Sequence, residues 1–261
     1  MFLIDLAKMY FKPSGLLRFA PYLLILPIVV FHALSLSGCV STSPAIPNIY
    51  IVDLHANTNA TDDFLKVRIG YFGICGIDED GTRCQSASGR SVETLATNLF
   101  PELQGGNTTS NNSSSSRSEI TDMISTALDL QSTTLMSVLA AAAVHFVLGV
   151  VALVLLKRDV SSPSSWEHPR RSTIIRRATY GMLLGSTGLV FASALATSQV
   201  GDGLELASEA MSHASVLIKS GTTLQVLQWL TFGFQALFAL AVPFLVRYKA
   251  PAGEEEYKGD V

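Results

Sequence analysis

The sequence predicts an all-α membrane bundle of four spanning helices that carries a small extracellular antiparallel β-sheet. Three observations lead there. The chain has 261 residues, of which 48% are hydrophobic and only 15% charged, more apolar than an average soluble domain. Four segments are apolar over the ~20 residues that a helix rising ~1.5 Å per residue needs to cross a bilayer. Between the first and second of these lies a long segment in which β-branched and aromatic stretches alternate with turn formers, the composition of paired strands.

In chain order, residues 1–15 form an N-terminal tail and 16–38 the first span. Arg18, near the mouth of that span, is long enough to snorkel to the headgroups. The basic residues before this span and the small ones ending it imitate a cleaved signal, and "LSGC" ending at Cys39 imitates a lipoprotein signal. The apolar run is longer than the roughly 7 to 15 residues of a signal core, so a retained helix is expected. The other spans are 135–156, 178–196 and 224–246.

Charge sets the orientation. The connector 157–177 holds six basic residues against two acidic ones, which predicts a cytoplasmic loop. Both termini, including the tail 247–261, are then cytoplasmic, and the segments 39–134 and 197–223 face outside. The sequons at Asn59, Asn107, Asn111 and Asn112 all fall in the first outer segment, consistent with a glycosylated exterior. There the stretches "NIYIVDL" and "FLKVRIGYF" read as strands, with a third near Cys84. Residues 105–118, "GGNTTSNNSSSSRS", are too polar to bury a core and read as a disordered glycosylated insert. After them Ile120, Met123, Ile124, Ala127 and Leu128 recur at helical spacing, and the helix is expected to continue into the second span.

Cys75 and Cys84 frame the acidic tip "DEDG". The tip lacks the spaced oxygen ligands and terminal Glu of a calcium loop, so no metal site is expected, and Gly81 suits a tight turn. The cysteines are too far apart for a CxxC redox pair, and an oxidising exterior favours a structural disulfide. Cys39, the third cysteine, is left free, lipidated or intermolecular, or is simply buried as a small apolar residue.

Within the spans, His32, His145 and Gln235 are polar and expected to face the bundle interior. His145 and Gln235 lie at similar depth, which suggests that they pair. Gly181, Gly185 and Gly188 offer a small-residue face for close helix approach. The formal charge of -3 gives no basis for nucleic-acid binding. The sequence holds no GxSxG, HExxH, phosphate-loop or dinucleotide fingerprint, so neither an enzyme nor a cofactor is expected. The lipid bilayer is the expected environment, and self-association or other membrane proteins the expected partners.

The stretch "GYFGICGIDEDGTRC", set in this topology, resembles the first outer loop of the claudin-like fungal family of calcium regulators and membrane fusion proteins. That family's motif is Gly, two hydrophobic or aromatic residues, Gly, any residue, Cys, then a second Cys after a variable gap. It is met by Gly70, Tyr71, Phe72, Gly73, Cys75 and Cys84. The resemblance implies a claudin-like fold, with a disulfide pinning two strands of a sheet that rests on the outer ends of four helices. It also implies a plasma-membrane protein of pheromone-stimulated, low-affinity calcium uptake and cell fusion. The sequon-rich insert and the missing tryptophan of animal claudins depart from the wider pattern. Alternatives are a structural organiser of the eisosome or pH-sensing type, and a small transporter or pore subunit using the three intramembrane polar residues.

Overall fold

The computed structural model describes residues 20–56, 66–78, 81–101, 121–129, 136–161, 169–210 and 216–245. The sequons at Asn59, Asn107, Asn111 and Asn112, the insert 105–118, both tails and the expected join into the second span lie outside them. A turn of helix at Ala20–Leu23 precedes α1 (Ile25–Ser37), and a short 3-10 turn, Ile46–Asn48, leads to the sheet. Strands β1 (Val52–Ala56), β2 (Lys66–Ile69), β3 (Gly73–Asp78) and β4 (Gly81–Ser86) follow, then α2 (Val92–Leu99) and α3 (121–129). The long helices are α4 (Met136–Ser161), α5 (Pro169–Ala210) and α6 (Thr222–Leu245), with β5 (Val216–Ser220) between the last two.

Three helices are long and apolar enough to cross a membrane, over Val138–Asp159, Thr173–Leu206 and Thr222–Pro243. α1 is a shorter apolar helix that packs chiefly on α6. Ile28 of α1 meets Phe146 and Leu153 of α4, Leu183 of α5 and Phe238 and Val242 of α6 in one apolar cluster.

The sheet is antiparallel throughout, in the order β4-β3-β2-β1-β5. One face contributes Val52, Leu54, Val67, Ile69 and Ile74 to a core closed by α2 and α3. Ser91 caps α2, its hydroxyl accepting from the Thr94 N–H at 3.4 Å. The helical spacing of Met123, Ile124 and Ala127 puts all three in this core.

Two expectations change. The third span, read as 178–196, continues as helix to Ala210, because hydropathy marks where the apolar surroundings end and not where helical hydrogen bonding stops. The segment 197–223, read as a loop, contains that extension and β5, which pairs with β1 from Val52↔Ser220 to Ala56↔Val216.

Candidate functional site

Residues 70–73 join β2 to β3 in a tight turn closed by the Gly70 N–H donating to the Gly73 carbonyl at 2.8 Å. Its two glycines face the chain leaving α1. A Cβ on Gly70 would fall on the Gly38 carbonyl oxygen, and one on Gly73 on that of Cys39. With no side chain at either position, the backbones touch and the sheet is seated on the end of α1. Along the chain that leaves α1 there, Cys39 adopts φ 57° and Ala45 φ 74°.

Between the glycines, Tyr71 enters the helices and is only 1% exposed. Its ring packs with Ile49, Leu139, Ala142, Val190 and Leu224. Its hydroxyl accepts from the Gln228 amide at 2.6 Å and lies 3.3 Å from Ser193 Oγ and 3.5 Å from Thr197 Oγ1. Phe72 is partly buried against the same cluster, and its carbonyl accepts from the Ala87 N–H at 3.0 Å. One turn of the sheet is thus fixed to α1, α5 and α6.

Beyond the turn, Cys75 and Cys84 are direct cross-strand partners with Cα atoms 4.0 Å apart, and a disulfide joins them. Gly81 takes φ +140° where β4 begins, and its N–H donates to Asp78 Oδ1 at 3.0 Å. Among the described residues, no group of three or more His, Cys, Asp or Glu stands close enough to hold a metal ion.

Beside the disulfide, in the same cross-strand row, lies an ion pair absent from the expectations above. Asp53 is 4% exposed, and Arg68 Nε stands 3.3 Å from its Oδ2. Arg68 also donates from Nη1 to the Pro47 carbonyl at 3.3 Å and to Asn48 Oδ1 at 3.0 Å, and its guanidinium lies 4.7 Å from the centre of the Tyr50 ring. One arginine therefore clamps two strands to the segment entering the sheet. The signal was an acid inside the apolar run "YIVDL", since a lone carboxylate is seldom buried without a partner. Cys39 is buried and free, and burial pushes its thiol up to about 12 against the smaller opposing pull of Arg68. Burial likewise raises the Tyr50 phenol.

The polar residues expected inside the membrane are arranged differently from the expected His145–Gln235 pair. Gln235 Nε2 lies 3.0 Å from His32 Nε2 and 3.2 Å from Ser186 Oγ. His145 is exposed on the outer face of α4, with Nδ1 2.8 Å from the Ala141 carbonyl one turn earlier. Its depth matched Gln235, but the inward face of α4 carries Leu139, Ala142, Phe146 and Leu153, and residue 145 falls off that face. The expected close approach at Gly181, Gly185 and Gly188 is also absent, because a Cβ there meets nothing within 4 Å among the described residues. Gly149 packs under Leu183 and Gly201 against Ser220 instead.

A disulfide-bonded sheet keyed by a tyrosine into helices of membrane-spanning length defines a membrane protein with a covalently braced head. A family model described as Ca2+ regulator and membrane fusion protein Fig1 matches residues 51–248. The chain belongs to that family, whose description names a regulator and fusion protein. A comparison with curated proteins found no match.

Proposed function

We propose that the protein is a non-enzymatic plasma-membrane regulator of low-affinity calcium influx and of membrane fusion in fungal mating or hyphal fusion. The observation that carries this reading is the seating of the Gly70–Gly73 turn, because it makes sheet and helices one mechanical unit able to pass a contact at the head into the membrane. The segment 16–38 serves as the fourth span of a claudin-like bundle. The basic connector 157–177 keeps its own side and both termini in the cytoplasm, so the sheet faces outside. There Asn59, Asn107, Asn111 and Asn112 carry sugars, and the sheet meets a second copy or another membrane protein.

A pore within one chain is the less favoured alternative. The polar contacts around Gln235 give way toward one end to the apolar cluster of Ile28, Phe146 and Phe238, which supports regulation over conduction.

The test uses a strain lacking the gene and exposed to a mating partner. Pheromone-stimulated calcium uptake and cell fusion are expected to fall, to return with the native chain, and to return only weakly with Tyr71→Ala at equal surface abundance. Normal uptake and fusion in the deletion strain would reject the proposal. Stable cortical patches in place of mating tips would favour a structural organiser.

A further inference from the structure

Polar side chains recur inside the helix core at two-turn spacing. α5 supplies Ser186 and Ser193, and α6 supplies Gln228 and Gln235, each at most 1% exposed. Seven helical residues rise ~10.5 Å, so these residues mark two levels. Gln228 and Ser193 meet at Tyr71, and Gln235 bridges His32 and Ser186. Thr231, also buried, lies between the two glutamines on α6.

Four buried polar atoms at these levels have no hydrogen-bond partner among the described residues: His32 Nδ1, Ser35 Oγ, Gln228 Oε1 and Gln235 Oε1. Leaving such groups unpaired away from water is costly. Their chemistry identifies what they accommodate. The Ser186 hydroxyl donates to the Ala142 carbonyl at 2.7 Å, so its oxygen must accept from Gln235. Gln235 therefore presents its amide hydrogens to Ser186 and to His32 Nε2, and the neutral imidazole carries its own hydrogen on Nδ1. At the His32 level the unmet set combines an N–H donor, the Gln235 carbonyl oxygen as acceptor and the Ser35 hydroxyl, while Gln228 Oε1 belongs to the Tyr71 level. A bare cation would face the imidazole N–H, and an anion would face the amide oxygen. Water donates and accepts, and brings no charge into the core.

We propose that the core around His32, Ser35 and Gln235 is a water-binding site, stoppered at the sheet end by Tyr71 and closed at the other by the apolar cluster of Ile28, Phe146 and Phe238. In this arrangement the aromatic residue of the Gly70–Gly73 turn controls whether the site communicates with solvent on the sheet side. Past the site, the apolar cluster intervenes before the next buried polar residue of α5, Thr179, whose hydroxyl donates to the Ile175 carbonyl of its own helix at 2.8 Å.

X-ray hydroxyl-radical footprinting of the unaltered chain in lipid nanodiscs tests the site, because bound water is the local source of radicals. His32, though buried, is expected to oxidise at least about fivefold faster than Phe238. A rate no higher than that of Phe238 would overturn the site. The stopper is tested in vesicles with the full chain carrying Cys39→Ala and Ser35→Cys. A membrane-impermeant methanethiosulfonate applied on the sheet side should modify the introduced thiol at least about tenfold faster when Tyr71→Ala is added, while Tyr71→Phe, which keeps the ring, changes the rate far less. Equal rates with Tyr71 and with Tyr71→Ala would overturn the stopper. The unaltered chain keeps the first test independent of how well any variant folds.

Discussion

At Tyr71 one hydroxyl meets side chains from two helices, so removing it strands groups that no solvent reaches. Tyr71→Phe keeps the ring but leaves the Gln228 amide unpaired, and is expected to cost about 1 to 3 kcal/mol, read as a lower midpoint of thermal unfolding in detergent. A change under a few tenths of a kcal/mol would mean that the hydroxyl contributes little to the join. Cys39 makes a pH prediction. Burial raises its thiol from 9.0 to about 12, so the neutral form is favoured in the folded state. The associated stability is complete below pH 9.0 and is lost as pH rises toward about 12. At pH 8 the folded protein should resist maleimide at Cys39, with the mass shift appearing only after denaturation; rapid labelling of native protein would contradict the burial.

Between elements, the pairing of α1, α5 and α6 through His32, Ser186 and Gln235 distinguishes two residues that hydropathy treats alike. Gln235→Leu removes the amide that His32 Nε2 and Ser186 Oγ accept from, leaving Ser186 only its bond to the Ala142 carbonyl, and should destabilise by about 1 to 3 kcal/mol, whereas His145→Leu on the outer face of α4 should be nearly neutral. Equal losses in unfolding experiments would return His145 to the interior. This is also where the sequence stops being legible. Spanning segments stand out by length and apolarity, and the Gly70–Cys84 motif by residue types that have few other uses. The rotation of a spanning helix is hidden, because lipid and protein core are both apolar and the pattern carries little contrast between them. β5 was missed for another reason. Five residues in a short connector form a strand only when β1, more than 150 positions earlier, supplies the other half of the hydrogen bonds.

For the whole molecule, the head is not a separable domain. Segment 39–134 contains four of the strands, yet β1 completes its pairing with β5, and Leu204 of α5 and Ile218 of β5 pack on the sheet core. The Tyr71 hydroxyl meets Ser193 and Thr197 of α5 and Gln228 of α6. Expressed alone, residues 39–134 should therefore show poorly protected amides in β1 and in the 70–73 turn by hydrogen exchange, while the full chain protects both. Native-like protection in the fragment would make the head autonomous. The family match begins within this region and runs through the last helix, as expected for one cooperative unit.

The placement of β5 also sets a clock on biosynthesis. Strands β1 to β4 leave the ribosome early, but the edge beside β1 stays open until residues 216–220 have been made and α5 has been threaded. Throughout that interval the nascent protein displays an unpaired strand to the compartment that receives it, a natural handle for chaperones and a hazard for premature pairing with a neighbouring copy. A chain truncated before residue 216 keeps that handle permanently, so completion of the sheet reports that nearly the whole polypeptide has been synthesised and inserted.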